Sequence, residues 1–307
     1  MTQNILILGG NGFIGSHLVD KLLSEHHTVR VFDKYEERYR NPLLGIDYRF
    51  GDFGNRGQVS ESLCDMDIVF HLISTTLPIT SGIDPTFDIR SNVIDTIRLL
   101  ELCVHKRIKK VVFISSGGTV YGIPQSLPVP EDHPTNPLCS YGIGKLTIEK
   151  FLALFDRLHN LDYVIVRPSN PYGERQNPSG IQGVIPVFLN RIARNEGIEI
   201  WGDGEIVRDY VFIDDLIEGL YRAAFTETNS KVFNLGSGKG YSLNEILAVI
   251  RTVLGCRIVV NYRGMRPFDV PRIFLDITRA QKELFWEPRT PLETGIVKTW
   301  EFVRSLL

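Results

Sequence analysis

Short apolar runs and amphipathic stretches alternate through the first half of this chain, which is how consecutive strand–helix–strand units read in sequence. The runs Asn4 to Leu8, Thr28 to Phe32, Asp47 to Phe50, Ile68 to His71, Lys110 to Ser115 and Tyr163 to Arg167 predict strands. Between them, Gly12 to Glu25, Gln58 to Leu63, Ser91 to His105 and Tyr141 to His159 predict helices. Strands joined through helices run parallel, so the pattern implies an α/β fold with a doubly wound parallel sheet. In the helix from Ser91, the residues Val93, Ile94, Ile97, Leu100 and Val104 form an apolar face suited to a sheet or to a partner helix.

After Pro168 the rhythm changes. Prolines recur at Pro171, Pro178 and Pro186, turn clusters stand at Asn177-Pro178-Ser179-Gly180 and Trp201-Gly202-Asp203-Gly204, and the helical stretches shorten. Strand-like segments return at Glu199 to Ile200, Val211 to Phe212, Val232 to Leu235 and Ile258 to Tyr262. We therefore expect residues 1–168 to form one domain, rejoined by later segments at roughly 205–240. Residues 169–307 would be mainly a smaller, interleaved α/β domain.

Composition narrows the function. Hydrophobic residues make up 43% of 307, charged residues 23%, and the net charge is -2, which argues against disorder and against a polyanion-binding surface. Nucleic acid is not an expected partner. The four cysteines, Cys64, Cys103, Cys139 and Cys256, contain no CxxC pair, so neither a metal knuckle nor a disulfide framework is implied. No basic leader precedes Ile5, and no apolar stretch is long enough to span a bilayer. The expected location is the cytoplasm, away from membrane.

Chemistry enters with Gly9-x-x-Gly12-x-x-Gly15, between the first strand and the first helix. Glycines there allow a tight turn, close approach of backbone to a pyrophosphate, and close helix packing. Asp33 ends the second strand, where a carboxylate accepts hydrogen bonds from ribose hydroxyls and repels a 2'-phosphate, so NAD is expected rather than NADP. Lys34 and Arg38 lie close by and would soften that preference. Asp52 and Phe53 follow the third strand, where an adenine would lie, and Leu72 and Ser74 follow the fourth, towards the nicotinamide. This is a Rossmann-type sheet.

Tyr141 and Lys145 stand four residues apart and share one helix face. An isolated phenol titrates near ~10, and a fixed ammonium or an oxidised nicotinamide would favour its phenolate. The pair points to redox chemistry on an alcohol.

These motifs occur in series with Ser115-Ser116-Gly117-Gly118-Thr119-Val120-Tyr121-Gly122, Arg167-Pro168-Ser169-Asn170-Pro171-Tyr172-Gly173 and Arg208-Asp209-Tyr210-Val211. In that order the chain resembles the extended short-chain dehydrogenases/reductases, and within them the UDP-glucose 4-epimerase type of NAD-dependent nucleotide-sugar epimerase. The likeness covers nearly the whole chain. It implies that Tyr141 accepts the proton of the sugar C4 hydroxyl while hydride passes to NAD. The 4-keto sugar turns over and hydride returns to its other face. Lys145 would hold the nicotinamide ribose.

The resemblance also implies a cofactor site of Gly9, Gly12, Phe13, Ile14, Gly15, Asp33, Lys34, Asp52, Phe53, Leu72, Ser74, Asn92, Ser115, Tyr141, Lys145 and Pro168. Asn170, Val184, Arg208, Arg266 and Asp269 would bind a UDP-hexose, glucose/galactose or the N-acetyl analogues, in a homodimer. One position departs from the pattern. Relatives place a serine or threonine where this chain has Gly117, leaving Ser116 or Thr119 to supply the catalytic hydroxyl. Sugar dehydratases carry an Asp-Glu pair where this chain has Gly118 and Thr119, and decarboxylating relatives a glutamate in the same loop, so elimination and decarboxylation lack their acids. Another nucleotide-sugar oxidoreductase of the superfamily, and a non-catalytic NAD-binding regulator, are the alternatives.

Overall fold

A computed structural model of the protein describes residues 2–180, 183–264 and 270–307. Its centre is a seven-stranded parallel sheet. The strands are β1 (Asn4–Leu8), β2 (Thr28–Asp33), β3 (Asp47–Phe50), β4 (Ile68–His71), β5 (Lys110–Ile114) and β6 (Asp162–Pro168), joined late in the chain by Val232–Leu235. The spatial order runs from Val232–Leu235 through β6, β5, β4, β1 and β2 to β3. The first crossovers build outwards from β1 to β3, and the later ones build the other way from β4, so the order reverses between β1 and β4. Helices there go to opposite faces and leave a crevice beyond the strand ends.

The alternation along β1 explains the layering. Ile5 and Ile7 point into one core and Leu6 and Leu8 into the other, all four fully buried. On the first face lies α1 (Phe13–Ser24), packed by Leu18, Val19 and Leu22. On the second, Leu99, Leu100 and Cys103 pack beside Ile148 and Leu152. Each such aliphatic side chain contributes about 1.5–3 kcal/mol on leaving water.

The helix expected from Ser91 starts earlier and in another form. After α2 (Arg56–Ser62), a single turn α3 (Pro85–Asp88) begins where Asp84 accepts from the Phe87 N–H and Pro85 takes the first helical position. A π-helical turn, Ile89–Ile94, follows and leads into α4 (Asp95–His105). The cause is local: the Asn92 side chain bonds the Thr75 N–H at 3.0 Å and the Asp88 carboxylate at 2.9 Å, which holds the widened turn against a loop. α5 (Ser140–His159) then crosses the same face of the sheet.

Beyond β6 lie β7 (Asn170–Tyr172), α6 (Val184–Ala193), β8 (Ile198–Trp201), β9 (Val207–Arg208), β10 (Tyr210–Phe212) and α7 (Ile213–Phe225). Val232–Leu235 is β11, and it pairs with β6 from Val232 opposite Ile165 to Leu235 opposite Pro168. After it come β12 (Tyr241–Ser242), α8 (Leu243–Leu254), β13 (Val260–Arg263), α9 (Thr278–Leu284) and α10 (Leu292–Ser305). Three two-stranded sheets form here: β10 with β7, β12 with β9, and β13 with β8. Within the span 205–240, β11 completes the large sheet and α7 packs on α1, whereas β9 and β10 pair among the later strands. One apolar cluster runs from Ile5 through Ile213 to Val303, so both portions share a core.

Candidate active site

The glycine turn closes tightly after β1. Gly9 adopts φ +85° and donates its N–H to Phe32 O at 2.8 Å. A Cβ on Gly15 would strike the Gly9 carbonyl oxygen and lie 2.6 Å from Gly10 Cα, so only glycine lets α1 start this close to the strand. Gly12 caps α1 with no side chain, and the first turn carries no acid. The N–H groups around half-buried Phe13 and Ile14 therefore face an anion-binding position strengthened by the helix dipole.

Asp33 stands at the rim of that turn. Its carboxylate accepts from the Asn11 N–H at 3.0 Å and the Tyr35 N–H at 3.2 Å. Burial raises its pKa, opposed by these backbone bonds. Lys34 reaches away to Asp52 at 3.1 Å, which commits its ammonium to a carboxylate. Asp52 is held below the usual range, first by the Gly54 N–H and then by Lys34. Phe53 turns into the core, with its ring 5.1 Å from that of His71.

On the other side of the crevice, a Cβ on Gly9 would sit 3.2 Å from the Ile73 nitrogen and 3.3 Å from the Leu72 carbonyl carbon. The loop after β4 thus lies directly against the glycine turn. On this loop the Ser74 hydroxyl donates to Thr76 O at 2.9 Å and stands near enough to the Tyr141 hydroxyl to lower its pKa. The phenol therefore lies on the side of α5 that faces the loop after β4.

Lys145 follows one turn along α5. Its ammonium donates to Ile114 O at 2.9 Å and lies 5.6 Å above the centre of the Tyr141 ring and 4.8 Å above that of Phe113. Burial lowers its pKa to about 8, while Glu149 and Asp88 oppose the shift. Without a dinucleotide, burial pushes the Tyr141 hydroxyl up, Cys139 and Asp88 push the same way, and Ser74 pulls it down. The Lys145 ammonium sits over the ring face. A phenolate here requires further positive charge, which an oxidised dinucleotide brings.

The loop after β5 carries Gly117 and the two neighbouring hydroxyls, Ser116 and Thr119. Gly117 donates its N–H to Pro168 O at 2.8 Å, and a Cβ there would lie 2.6 Å from Leu275 Cδ1 and 3.0 Å from that same oxygen. A serine there would need the Leu275 side chain to move and the end of β6 to yield slightly. Ser116 turns the backbone, its carbonyl accepting from Val120 N–H at 3.2 Å. The Thr119 hydroxyl is buried with no hydrogen-bond partner among the described residues, and its carbonyl lies 3.0 Å from where a Cβ of Gly142 would be, next to Tyr141. Ser115 is otherwise engaged, donating to Glu149 at 2.5 Å.

The expected sugar-side residues lie along the later elements. Asn170 opens β7 and donates its amide to Asp209 O at 2.9 Å. Arg208 ends β9 and donates to Val207 O at 2.9 Å and Val270 O at 2.6 Å. Val184 begins α6 behind Gly183, whose φ is +92°. Arg266 and Asp269 lie outside the described residues.

Residues 5–236 match the NAD dependent epimerase/dehydratase family. The chain belongs to that family. It is 36% identical to the UDP-glucose 4-epimerase of Mycolicibacterium smegmatis over 98% of each chain. Among solved structures, the UDP-glucose 4-epimerase of Thermotoga maritima with UDP-glucose superimposes with a TM-score of 0.93 at 36% identity, over 99% of each chain. The UDP-glucose 4-epimerase of Thermus thermophilus in complex with NAD gives 0.92 at 29%, over 99% of this chain and 100% of that one.

For a member of this family the cofactor is NAD, and the site fits it. The glycine cradle excludes a Cβ at Gly15, the α1 N-terminus is free of side-chain caps, and the Asp33 carboxylate stands at the rim of the turn. Among the described residues no cluster suits a metal ion, and no helix is long and apolar enough to cross a membrane. Motif reading missed the residues that hold the tyrosine: Ser81, whose hydroxyl accepts the Tyr141 N–H at 3.1 Å, and Asp88, which accepts from Ser140 at 2.5 Å.

Proposed function

We propose that this protein is a UDP-sugar 4-epimerase acting on UDP-glucose and UDP-galactose or on their N-acetyl analogues. The observation that carries the reading is the Tyr141–Lys145 pair, held by the Ser81 hydroxyl at the Tyr141 N–H beside the crevice where the glycine turn meets the loop after β4. Bound NAD would accept a hydride from sugar C4 and return it to the opposite face. The chain itself manages protons and position. Tyr141 takes the proton from the C4 hydroxyl at its phenolic oxygen and gives it back. Thr119, whose buried hydroxyl has no hydrogen-bond partner among the described residues, bridges tyrosine and substrate in place of the residue missing at Gly117. Lys145 binds the nicotinamide ribose and keeps positive charge under the phenol.

The remaining assignments follow the motifs. The glycine turn and Asp33 bind the dinucleotide, with Asn92 and Pro168 supporting its nicotinamide end. Asn170 and Arg208 hold the substrate diphosphate, joined by Arg266, while Val184 covers the uracil and Asp269 binds its ribose. Residues 1–168 with β11 serve NAD and the rest mainly serves the sugar. A homodimer is supported by exposed apolar side chains at Phe87, Ile89 and Ile143 around the start of α5. Free cysteines at all four positions suit the cytoplasm.

The deciding experiment offers the purified protein UDP-, GDP-, CDP- and dTDP-hexoses and resolves the products by NMR. We expect interconversion at C4 of a UDP-sugar with no net consumption of NAD. Tyr141→Phe should abolish turnover and leave NAD affinity within about twofold. Net oxidation or reduction would move the protein to the oxidoreductases, and full activity of Tyr141→Phe would remove the tyrosine from the reaction.

A further inference from the structure

The head of α5 is tied down by a cluster that its own helix does not supply. Asp88, 2% exposed, ends α3 with both carboxylate oxygens engaged. One accepts from Thr76 Oγ1 at 2.5 Å and Asn92 Nδ2 at 2.9 Å, and the other from Ser140 Oγ at 2.5 Å. A single buried carboxylate thus joins the loop after β4, the π-helical turn and the first residue of α5. Ser140 immediately precedes Tyr141.

The tyrosine is held from the same side at two further points. Its N–H donates to Ser81, which is fully buried, and its hydroxyl meets Ser74. Cys139, at the helix cap, makes no side-chain bond to the first turn. The early N–H of α5 is therefore satisfied across the fold rather than within the helix. Loop 74–81 grips the residue at its backbone and at its phenol, and Asp88 locks that loop to the helix. Hydrogen bonds to a carboxylate are stronger than those between neutral groups, so this lock is the strongest of the three.

We propose that Asp88 is a positioning residue for the reaction: through Ser140, Thr76 and Asn92 it fixes the start of α5 against the loop after β4, and so fixes the Tyr141 hydroxyl relative to the reacting carbon. The inference rests on the assignment of Tyr141 as the base. A misplacement of about 1 Å in a reacting group costs on the order of a hundredfold in rate, so a carboxylate that never touches substrate can still control turnover.

The test uses the NAD-loaded protein with Asp88→Asn and Ser140→Ala, singly and together. By hydrogen exchange with mass spectrometry, Asp88→Asn should speed exchange in the peptide covering residues 139–147 by about tenfold, with β1 and β5 unchanged. With UDP-glucose, kcat should fall roughly 10- to 100-fold while KM stays within about threefold. Ser140→Ala should also lower kcat, and adding it to Asp88→Asn should cost less than about twofold more, since both break one link. Unchanged exchange at the head of α5 overturns the proposal. So does a rise in KM with kcat intact, or a loss of thermal stability with normal kcat per folded molecule. If Asp88→Asn does not fold, Ser140→Ala decides alone, and an unaltered kcat sinks the idea. If the wild-type protein turns over no UDP-sugar, the assignment of function has failed, and the exchange measurement still judges the lock.

Discussion

Replacing Glu149 by glutamine removes one charge and little volume from the centre of the molecule. Glu149 and Arg167 are 4% and 5% exposed, and the guanidinium donates through Nη2 at 2.6 Å and Nε at 3.0 Å. Glu149→Gln leaves Arg167 with only neutral partners, the Tyr121 hydroxyl at 2.9 Å and the Glu131 carbonyl at 3.1 Å. Stranding a buried charge in this way costs about 3–5 kcal/mol, against a whole-chain stability of about 5–15 kcal/mol. Urea denaturation followed by tryptophan fluorescence should show a large drop in midpoint with little change in slope, Trp286 being buried beside α7. In a double-mutant cycle with Arg167→Met, the two losses should fall short of additive by roughly 1–3 kcal/mol. The same substitution has a signature in the site. Glu149 is the larger of two carboxylate influences raising the Lys145 pKa against burial, so without it that pKa falls below about 8. A lysine is charged below its pKa and neutral above it. The alkaline limb of kcat/KM therefore moves to lower pH. A loss under about 1 kcal/mol, or additive singles, would refute the stranded-charge argument, and a limb that stays put or moves up would refute the electrostatic one.

Two further outcomes follow from the cradle and the loop. Gly15→Ala puts a methyl group against the backbone of Gly9 and Gly10, which has no side chain to yield. It should destabilise the protein by about 1–3 kcal/mol and weaken NAD binding, both readable by thermal melts with and without NAD. Thr119→Val keeps the shape and removes the unpartnered hydroxyl. It should lower kcat roughly 10- to 100-fold with stability nearly unchanged, whereas Ser116→Ala should cost less than about threefold. The reverse ranking would hand the role to Ser116.

What could be read along the chain, and what could not, divides by distance. The β1 turn was legible because glycine spacing, flanking strand and following helix all lie within about a dozen residues. Strands β1, β4, β5 and β6 were legible because burial on both faces demands apolar runs. The π-helical turn was not, since its apolar spacing continues smoothly into α4 and the distortion comes from Asn92 bonding a loop 16 or 17 residues away. Nor was the burial of the Thr119 hydroxyl, which depends on how the loop after β5 packs.

The protonation of Tyr141 shows the division most clearly. Four-residue spacing on a helix is enough to set a lysine beside a tyrosine, and that much is a property of the sequence. Whether the ammonium lies next to the phenolic oxygen or over the ring, and how much water remains, is settled by β5, α3 and the loop after β4 closing around the pair. The sequence by itself determined the parallel α/β sheet, the dinucleotide turn and the spacing of Tyr141 and Lys145, because each is written in local periodicity or short spacing. Tertiary structure alone decided how far the phenol is desolvated, the bonds of the Asp88 carboxylate and the register of β11 on β6. Desolvation and hydrogen bonding between residues 52 or more positions apart are sums over neighbours that only the folded chain assembles.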